Sequence, residues 1–396
     1  MQYREDRYGN KISVLGFGCM RFTKKGSGFD VEKAEQELMT AYEAGVNYYD
    51  TAYMYAGSEA LIVEIFERRG IREKIRIATK LPQHIVRKAE DPEKFLQEEL
   101  KRLRTGYVDY YLMHMLNDVG SWRRLCDLGI EEWLRDKKER GIIRQVGFSY
   151  HGNADGFREL LDAYDWDMCQ VQYNYLDENS QAGRTGYEAA ACKGIALVIM
   201  EPLRGGKLAN QLPKEAVRMF EQASKERGID RSPAAWGLHW LWDQPGVTCV
   251  LSGMNSLEMV EENCREADKA KAGTMTEADQ KVLRGVVREI RRTMKVDCTG
   301  CRYCMPCPQN VDIPGTFAAY NNRYTDGWFS AEKEYMMCTV MRNKSTAAGN
   351  CIGCGACEKH CPQHIAIRKE LKNAAKVLEG PIYQIARRVV PLVFRY

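Results

Sequence analysis

Two short runs of cysteines stand near the end of this 396-residue chain, CTGCRYCMPCP and CIGCGACEKHCP. Nine of the fifteen cysteines fall in the last 99 residues, and thiolates repeated every three or four residues can wrap around a metal centre. Zinc is the alternative, but zinc sites use paired C-x2-C units set further apart. The candidate metal ligands are Cys298, Cys301, Cys304, Cys307, Cys351, Cys354, Cys357 and Cys361.

The second run has the C-x2-C-x2-C-x3-C-P spacing that is typical of bacterial ferredoxins, in which the fourth cysteine ligates the other cluster. The first run has one residue fewer before its last cysteine, but the same cross-ligation is expected. Cys338, between the runs, is expected to be buried and not a ligand. The spacing predicts two 4Fe-4S clusters, and the favoured ligand sets are Cys298, Cys301, Cys304 and Cys361 for one and Cys351, Cys354, Cys357 and Cys307 for the other. The shorter spacer leaves the allocation of Cys307 and Cys361 open.

The first three quarters of the chain repeat one pattern, a short apolar run followed by an amphipathic charged stretch, as in parallel strands and crossover helices. Eight alternations favour a closed (β/α)8 TIM barrel over an open sheet. Asp30 and Asp91 are expected to open two of the helices, which Gly45 and Gly106 close. The predicted strands span residues 15–19, 46–50, 75–80, 108–114, 144–149, 168–174, 196–202 and 248–253.

The same pattern predicts two domains. A hairpin in YREDRYGNKISV is expected to close the barrel floor, and a helix in TEADQKVLRGVVREIRRTM leads into the cysteine region. We therefore expect a barrel at residues 1–294 and a small, mainly helical ferredoxin-like domain at residues 295–396. A helical insertion of 43 residues separates Cys307 from Cys351. The tail, IYQIARRVVPLVFRY, is expected to pack over the small domain, with a membrane surface as the alternative.

The composition argues against a nucleic-acid partner and against a membrane-spanning or secreted protein. With Lys+Arg 58 and Asp+Glu 54, the chain lacks the basic footprint of a nucleic-acid-binding protein. No apolar run approaches the ~20 residues of a transmembrane helix, and MQYREDRYGN is too charged for a signal peptide. The sequence therefore predicts a cytoplasmic protein with reduced cysteines. It leaves the oligomeric state open.

Polar residues at the carboxyl ends of the predicted strands are the next candidates, because barrel enzymes work at that end. Asp50 ends the second strand, Lys80 the third and His114 the fourth, and Tyr55 follows Asp50 by five residues. Each alone has an ordinary structural explanation: a helix cap, a surface charge, a core histidine or half-buried packing. Their occurrence at three consecutive strand ends favours catalysis.

The chain resembles the aldo-keto reductase family over roughly residues 1 to 290. The resemblance is carried by LGFGCMRF, YYDTAYMYAGSE, ATK, VDYYLMH, VGFS, VQYN, PLRGGKL and MVEEN. It implies that Asp50, Tyr55, Lys80 and His114 form the catalytic tetrad of the family. The cysteine region is similar to the ferredoxin-type extension found on one branch of that family.

Proton supply explains why such a tetrad is needed. A hydride added to a carbonyl carbon leaves negative charge on the oxygen, so a proton donor must lie within ~2.6–3.2 Å of it. Tyr55 is expected to be that donor, and the ammonium of Lys80 is expected to lower the tyrosine pKa from its free value of ~10. Asp50 would fix Lys80, and His114 would orient the carbonyl oxygen or share the proton.

The resemblance also implies a nicotinamide cofactor, with its amide held by Ser149, Gln172 and Asn174. The sequence departs from the family at two points. Met200 and Glu201 stand where many members stack an aromatic ring on the nicotinamide, and SGMNSLE lacks the cation that many members offer to the 2′-phosphate of NADPH. NADH, NADPH and FMN therefore all stay open.

The loops after the seventh and eighth strands are expected to hold the cofactor phosphates, and Glu262 and Asn263 the adenine. In LRGGKL the glycines permit close approach, and Arg204 and Lys207 supply positive charge. The other candidate cofactor-binding residues are Gly18, Cys19, Met20, Pro202, Leu203, Gly206, Ser252, Gly253 and Asn255.

The leading hypothesis is an oxidoreductase that reduces a carbonyl or activated double bond of a small molecule, with Tyr55 as proton donor and two 4Fe-4S clusters for electron transfer. A nicotinamide passes two electrons as hydride, whereas a cluster passes one, and a flavin can exchange both ways. The first alternative is therefore an FMN enzyme fed by ferredoxin or NAD(P)H. The second is an electron carrier with a non-catalytic barrel. A ferredoxin or flavodoxin is the expected electron donor.

Overall fold

The computed structural model describes residues 1–298, 300, 302–342, 344–361 and 363–393. Eight parallel strands close into a barrel, and their order around the barrel is their order along the chain. The predicted TIM barrel is therefore confirmed. The strands are β1 (Leu15–Gly18), β2 (Tyr48–Asp50), β3 (Arg76–Leu81), β4 (Val108–Leu116), β5 (Ile143–Tyr150), β6 (Met168–Gln172), β7 (Ala196–Met200) and β8 (Cys249–Ser252).

Helices surround the barrel and continue into the cysteine region. Those up to residue 291 are α1 (Val31–Glu43), α2 (Ser58–Arg68), α3 (Asp91–Arg102), α4 (Val119–Cys126), α5 (Ile130–Glu139), α6 (Ala154–Asp162), α7 (Gly183–Cys192), α8 (Lys207–Asn210), α9 (Lys214–Arg227), α10 (Pro233–Trp242), α11 (Leu257–Asp268) and α12 (Glu277–Arg291). Those that follow are α13 (Ile313–Thr325), α14 (Trp328–Thr339), α15 (Ala356–Lys359), α16 (Ile367–Leu378) and α17 (Pro381–Val393).

Of the two aspartates predicted to cap helices, one is an N-cap in the structure and the other is not. The carboxylate of Asp30 accepts a hydrogen bond from Lys33 N, so Asp30 caps α1 as predicted. The prediction that Asp91 caps its helix is wrong by one position. Asp91 is the first residue of α3, and its carboxylate accepts from the backbone N–H groups of Arg87 and Lys88, which fixes the loop before the helix.

The core lies in two layers, one inside the ring of strands and one between strands and helices. The inside of the ring is filled by buried side chains, as in the packed core of a barrel. Tyr48 and Tyr110 fill much of this space, with 5.4 Å between their ring centres. The other members of this inner apolar cluster are Ile12, Ala78, Leu112, Met168, Ala196, Val198, Cys249 and Leu251.

An antiparallel hairpin of Tyr3–Glu5 and Lys11–Ser13 closes the amino-terminal end of the barrel, as predicted. Asp6, in its turn, accepts hydrogen bonds from Gln145 Nε2 over 2.6 Å and from Tyr110 OH over 3.2 Å. Both donors belong to barrel strands. Asp6 therefore ties the hairpin to the floor of the barrel.

The region after α12 has its own hydrophobic core, formed mainly by α13, α14 and α16. The tail helix α17 packs on this core through Tyr383, whose hydroxyl donates to Thr339 Oγ1 over 3.1 Å. Its other face is exposed at Ile382, Ile385 and Val389. The expected packing of the tail is therefore confirmed for one face only. No helix within the described ranges combines the length and apolar character of a membrane span.

We predict that Asp6→Ala lowers the free energy of unfolding by about 2–4 kcal/mol at pH 7, because buried donors lose their acceptor. Burial works to raise the pKa of Asp6, but hydrogen bonds from Gln145 and Asn10 hold it below its usual value. This contribution is therefore present above pH ~4 and is lost as the pH falls through the lowered folded-state pKa. Urea denaturation of both proteins at pH 7 and near pH 3 measures it. Asp165→Ala, which removes an exposed partner of Arg7, should change stability by less than about 0.5 kcal/mol.

Candidate active site

A buried ion pair lies at the carboxyl end of the barrel. Lys80 Nζ donates to Asp50 Oδ1 and to the carbonyl oxygen of Thr51, each over 2.6 Å. Gln170 of β6 donates to the second carboxylate oxygen of Asp50 over 3.2 Å. Burial works to lower the pKa of Lys80, but the Asp50 carboxylate holds it above its usual value. The amine therefore carries its charge.

Tyr55 and His114 stand beside this pair. Lys80 Nζ is 5.2 Å from the centre of the Tyr55 ring. The imidazole of His114 meets the same ring edge-on, with 6.0 Å between the ring centres. His114 Nδ1 is buried and has no hydrogen-bond partner among the described residues. The four residues selected from the sequence thus converge at one point.

The protonation states differ from what the sequence suggested. Burial raises the pKa of Tyr55 above its usual value, and the carboxylates of Asp50 and Glu201 add to this, while the Lys80 ammonium opposes it. The expectation of a net lowered tyrosine pKa is therefore wrong, because burial outweighs the ammonium. Burial and Lys80 lower the pKa of His114 well below its usual value. His114 is thus neutral at pH 7, and can donate a hydrogen bond but has no imidazolium proton to share.

The three residues expected to hold a nicotinamide amide lie near the carboxyl ends of β5 and β6, Ser149 and Gln172 within the strands and Asn174 just after β6, and each already has partners. Ser149 Oγ accepts from Met115 N over 2.8 Å. Gln172 accepts at Oε1 from Gln181 Nε2 over 3.1 Å. Asn174 is the most fully engaged.

Asn174 fixes the loop after β6. Its Oδ1 accepts from the backbone N–H groups of Leu176 and Asp177, and its Nδ2 donates to Asp177 Oδ2 and to the carbonyl oxygen of Glu201. It has no exposed surface. Of the three predicted amide contacts, Asn174 is therefore the least available to a cofactor.

The candidate cofactor residues after β1 and β8 lie at the same barrel end. Cys19 is buried, and its N–H donates to the carbonyl oxygen of Asp50 over 2.8 Å. Asn263 Nδ2 donates to Ser252 Oγ over 3.1 Å, and both side chains are buried. The other positions are Gly18 at the end of β1 and half-buried, Met20, Gly253 and Asn255 exposed, Pro202 and Leu203 buried, and Gly206 and Glu262 half-buried.

The two cations of the loop after β7 are engaged by carboxylates. Arg204 Nη2 donates to Asn322 Oδ1 over 2.6 Å and to Asp326 Oδ2 over 3.0 Å, and its Nε lies 3.3 Å from Asp177 Oδ2. Lys207 Nζ lies 3.0 Å from the same Asp326 oxygen. The expected phosphate cations therefore hold the barrel to the insertion between the cysteine runs.

That insertion covers part of the barrel mouth. Asn117, after β4, donates to the carbonyl oxygen of Met341 over 3.0 Å. Glu334 of α14 interacts with Gln181, which in turn bonds Gln172. The insertion is thereby connected to Gln172, a predicted cofactor-binding residue.

The cysteines surround two cavities. Cys307, Cys351, Cys354 and Cys357, which are the residues expected to hold one cluster, line the first. Cys298, Cys304 and Cys361 line the second, and Cys304 also reaches the first. Cys301, the remaining predicted ligand, lies outside the described residues. Cys338 is buried and donates its S–H to the carbonyl oxygen of Tyr335, so its predicted burial is confirmed.

Four of the predicted ligands line the first cavity and three line the second, counting Cys304 with the second. This arrangement fits thiolate ligation of an iron-sulfur cube.

Three residues near the tetrad were missed by the sequence reasoning. Gln170 faces Asp50 from an interior position of β6, and strict alternation along the strand could have found it. Arg21 and Glu201 pair over 3.1 Å at the mouth. Arg21 stood unremarked within LGFGCMRF, and Glu201 was noted only as a departure from the family.

Comparison with protein-family profiles assigns the barrel to a known family. The profile described as "Aldo/keto reductase family" matches residues 14–281. The chain belongs to the aldo/keto reductase family. A second profile, "4Fe-4S dicluster domain", matches residues 297–366. The chain is therefore an oxidoreductase of this family that also carries a 4Fe-4S domain.

Curated relatives agree with this assignment. The chain is 26% identical over 305 residues to the uncharacterized oxidoreductase YqkF of Bacillus subtilis. The match covers 70% of this chain and 94% of YqkF. It is 26% identical over 324 residues to Protein tas of Escherichia coli, covering 66% and 92%. These shares fit a match to the barrel without the cysteine region.

Solved structures show the same fold. An aldo-keto reductase, AKR11C1, from Bacillus halodurans in its holo form superposes with a TM-score of 0.58 at 22% identity, covering 72% of this chain and 96% of that one. An aldo/keto reductase from Klebsiella pneumoniae in complex with NADP and acetate gives 0.57 at 21% identity, covering 71% and 94%.

We predict that Asp326→Asn loosens the contact between insertion and barrel in this aldo/keto reductase, because Arg204 and Lys207 lose a buried carboxylate. The free energy of unfolding should fall by about 2–4 kcal/mol. Hydrogen exchange should rise in α13, α14 and the loop after β7. Asp297→Asn, an exposed change in the same region, is the control. Equal hydrogen exchange in the two variants would contradict the role of Asp326 in holding the insertion to the barrel.

Proposed function

We propose that this oxidoreductase reduces a carbonyl group or an activated double bond of a small molecule, with Tyr55 as the proton donor. The observation that carries the proposal is the contact of Tyr55 with charged Lys80 and neutral His114 at the barrel mouth. The raised pKa keeps the phenol protonated at pH 7. Lys80 stabilises the phenolate once the proton has left, and His114 orients the substrate oxygen.

NAD(P)H is the cofactor that we propose for the barrel, and when bound it supplies a hydride. The related Klebsiella pneumoniae structure holds NADP. The Nδ1 of buried His114, which has no partner among the residues that the structure describes, supports a ligand beside the tetrad. Ser149 and Gln172 are the residues we assign to the nicotinamide amide. Asn255 offers no charge to a 2′-phosphate, so we propose no preference between NADH and NADPH.

We further propose two domains, a barrel at 1–294 and a small domain at 295–396 that holds two 4Fe-4S clusters. The separate hydrophobic cores support this division. The ligand sets we assign are Cys298, Cys301, Cys304 and Cys361 for one cluster, and Cys351, Cys354, Cys357 and Cys307 for the other. When bound, such clusters pass single electrons.

A ferredoxin or flavodoxin is the partner that we propose for the small domain. The cavity lined by Cys351 and Cys357 reaches the surface at Cys354, with exposed Tyr303 and Ile352 on its rim. A short path from this cavity to solvent suits electron exchange with another protein.

We predict that Tyr55→Phe lowers kcat about 10²- to 10⁴-fold, because the general acid is lost. NAD(P)H oxidation with a panel of aldehydes, ketones and quinones measures it. The wild-type rate should be level around neutral pH and should fall only above the free tyrosine pKa of ~10, because burial raises the pKa of Tyr55 above its usual value.

Tyr53→Phe is the matched control for Tyr55→Phe, because Tyr53 lies two residues away and donates to Glu98. It should retain nearly full activity. If Tyr55→Phe keeps wild-type turnover, the barrel is a docking unit and the protein an electron carrier. A flavin spectrum in the purified enzyme would instead favour the FMN alternative.

We predict about eight iron and eight sulfide per chain after anaerobic purification. Cys354→Ser and Cys307→Ser should each perturb the same cluster, so their electron paramagnetic resonance spectra should lose the same signal. Cys361→Ser should lose the other. Cys192→Ser, an exposed cysteine on the barrel, should retain all the iron. Loss of different signals by the first two variants would refute the cross-ligation.

A further inference from the structure

The last described helix, α17, displays an apolar stripe on a side that does not face the core of the small domain. Its members recur every three or four residues, so they lie along one side of the helix. They are Ile382, Ile385, Val389 and Leu392, which are 55%, 63%, 48% and 77% exposed. A contiguous exposed patch of apolar side chains marks an interaction surface.

A different side of α17 holds the helix on the domain. Tyr383 is buried there, with 5.0 Å between its ring centre and that of Tyr335. Its hydroxyl also donates to Thr339 Oγ1 over 3.1 Å. The stripe takes no part in these contacts, so the helix is anchored independently of it and the stripe is available to a partner.

The net positive charge of the chain is concentrated in the same part of the molecule. Residues 367–393, which span α16 and α17, contain six Lys or Arg and two Glu. Their net charge of +4 equals that of the whole chain, so the rest of the chain is neutral on balance. Five of these basic side chains are exposed and form no salt bridge with any described residue: Lys369, Lys372, Lys376, Arg387 and Arg388.

We propose that α17 binds the surface of an anionic phospholipid bilayer, lying in its plane with the stripe among the acyl chains. A basic helix with one apolar side is typical of such binding. Arg388 follows Ile385 by three residues and precedes Leu392 by four, so it borders the stripe, at the level of the lipid phosphates. The proposal is independent of the chemistry in the barrel, and it brings the cysteine region to a membrane surface.

Three other occupants fit this surface less well. A second copy would bring Arg387 and Arg388 of both chains together, because a two-fold interface uses the same patch twice, and like charges oppose that contact. Another protein would be expected to meet aromatic anchors, since Leu and Val are under-represented among the side chains that carry binding energy. A nucleic acid offers phosphates but no apolar layer to cover the stripe.

Cosedimentation of the anaerobically purified holoenzyme with lipid vesicles tests the proposal. One set of vesicles is phosphatidylcholine alone, and the other contains about one quarter phosphatidylglycerol. The wild type should bind the anionic vesicles at least about tenfold more tightly than the neutral ones, because several basic side chains contribute. Added salt should weaken this binding. Hydrogen exchange in α17 should slow when anionic vesicles are present.

Variants at exposed positions separate the apolar and the electrostatic contributions. The double variant Ile385→Ser, Val389→Ser should weaken binding to anionic vesicles at least about tenfold, since several buried methylene and methyl groups are lost. Arg388→Gln should weaken it about fivefold. The matched controls are Phe329→Ser, an exposed apolar side chain of α14, and Lys225→Gln, an exposed cation on the barrel, and both should stay within about twofold. Thermal melting checks that each variant is folded.

The proposal is overturned if the wild type binds neither kind of vesicle, or binds both equally. A loss in Phe329→Ser as large as that in the double variant also overturns it, because the contact would then not be specific to α17. If the double variant instead abolishes a dimer seen by sedimentation velocity, or binding to a ferredoxin or flavodoxin, without vesicle binding by the wild type, the stripe belongs to that protein contact and the membrane assignment is wrong.

Discussion

A lysine ammonium and an aspartate carboxylate, both out of contact with solvent, form the interaction on which this barrel mouth depends. Taking each ion out of water costs several kcal/mol, and the pair persists only if its hydrogen-bonding capacity is used. Lys80 uses the carboxylate and a main-chain carbonyl, and Asp50 uses Gln170 for its second oxygen. These partners come from β2, β3 and β6, so the pair requires the closed ring of strands.

The protonation of Tyr55 beside that pair depends mainly on burial. A phenol in water at pH 7 is protonated, and burial here makes it more so, with the ammonium only limiting the effect. Such a group gives up its proton once negative charge develops on a neighbouring oxygen. A neutral His114 beside it supplies a dipole without competing for the proton. A protonated phenol beside a neutral imidazole is the state that the proposed role of Tyr55 as proton donor requires.

The features that the sequence predicts correctly are those that depend on residues close together in the chain. The strand-helix alternation and the positions of the tetrad residues depend on short-range periodicity, and the barrel they predict is confirmed. The partners of Arg204 could not be predicted, because Asp326 is distant in the chain and nothing local couples them. The pKa of Tyr55 was misjudged for a related reason: the sequence shows that a lysine is near, but burial depth is a property of the whole fold.

Asp91 is a smaller example of the same limit. An acidic residue before an amphipathic stretch indicates a helix start, but its position relative to the first turn depends on the loop it also bonds. Gln170 shows the reverse case. Its side-chain direction was readable from strand alternation, yet its importance appears only when Asp50 is placed opposite.

The insertion shields the barrel mouth unevenly, and this has a consequence for the route that ligands take. It bonds the loops after β4 and β7, at Asn117 and Arg204. Met20, Met54 and Gly253, on the loops after β1, β2 and β8, remain exposed. This flank of the mouth is therefore the one that the insertion leaves uncovered. A long, slender ligand could extend into solvent on this flank. A ligand with a bulky group on the opposite flank would instead contact α13 and α14.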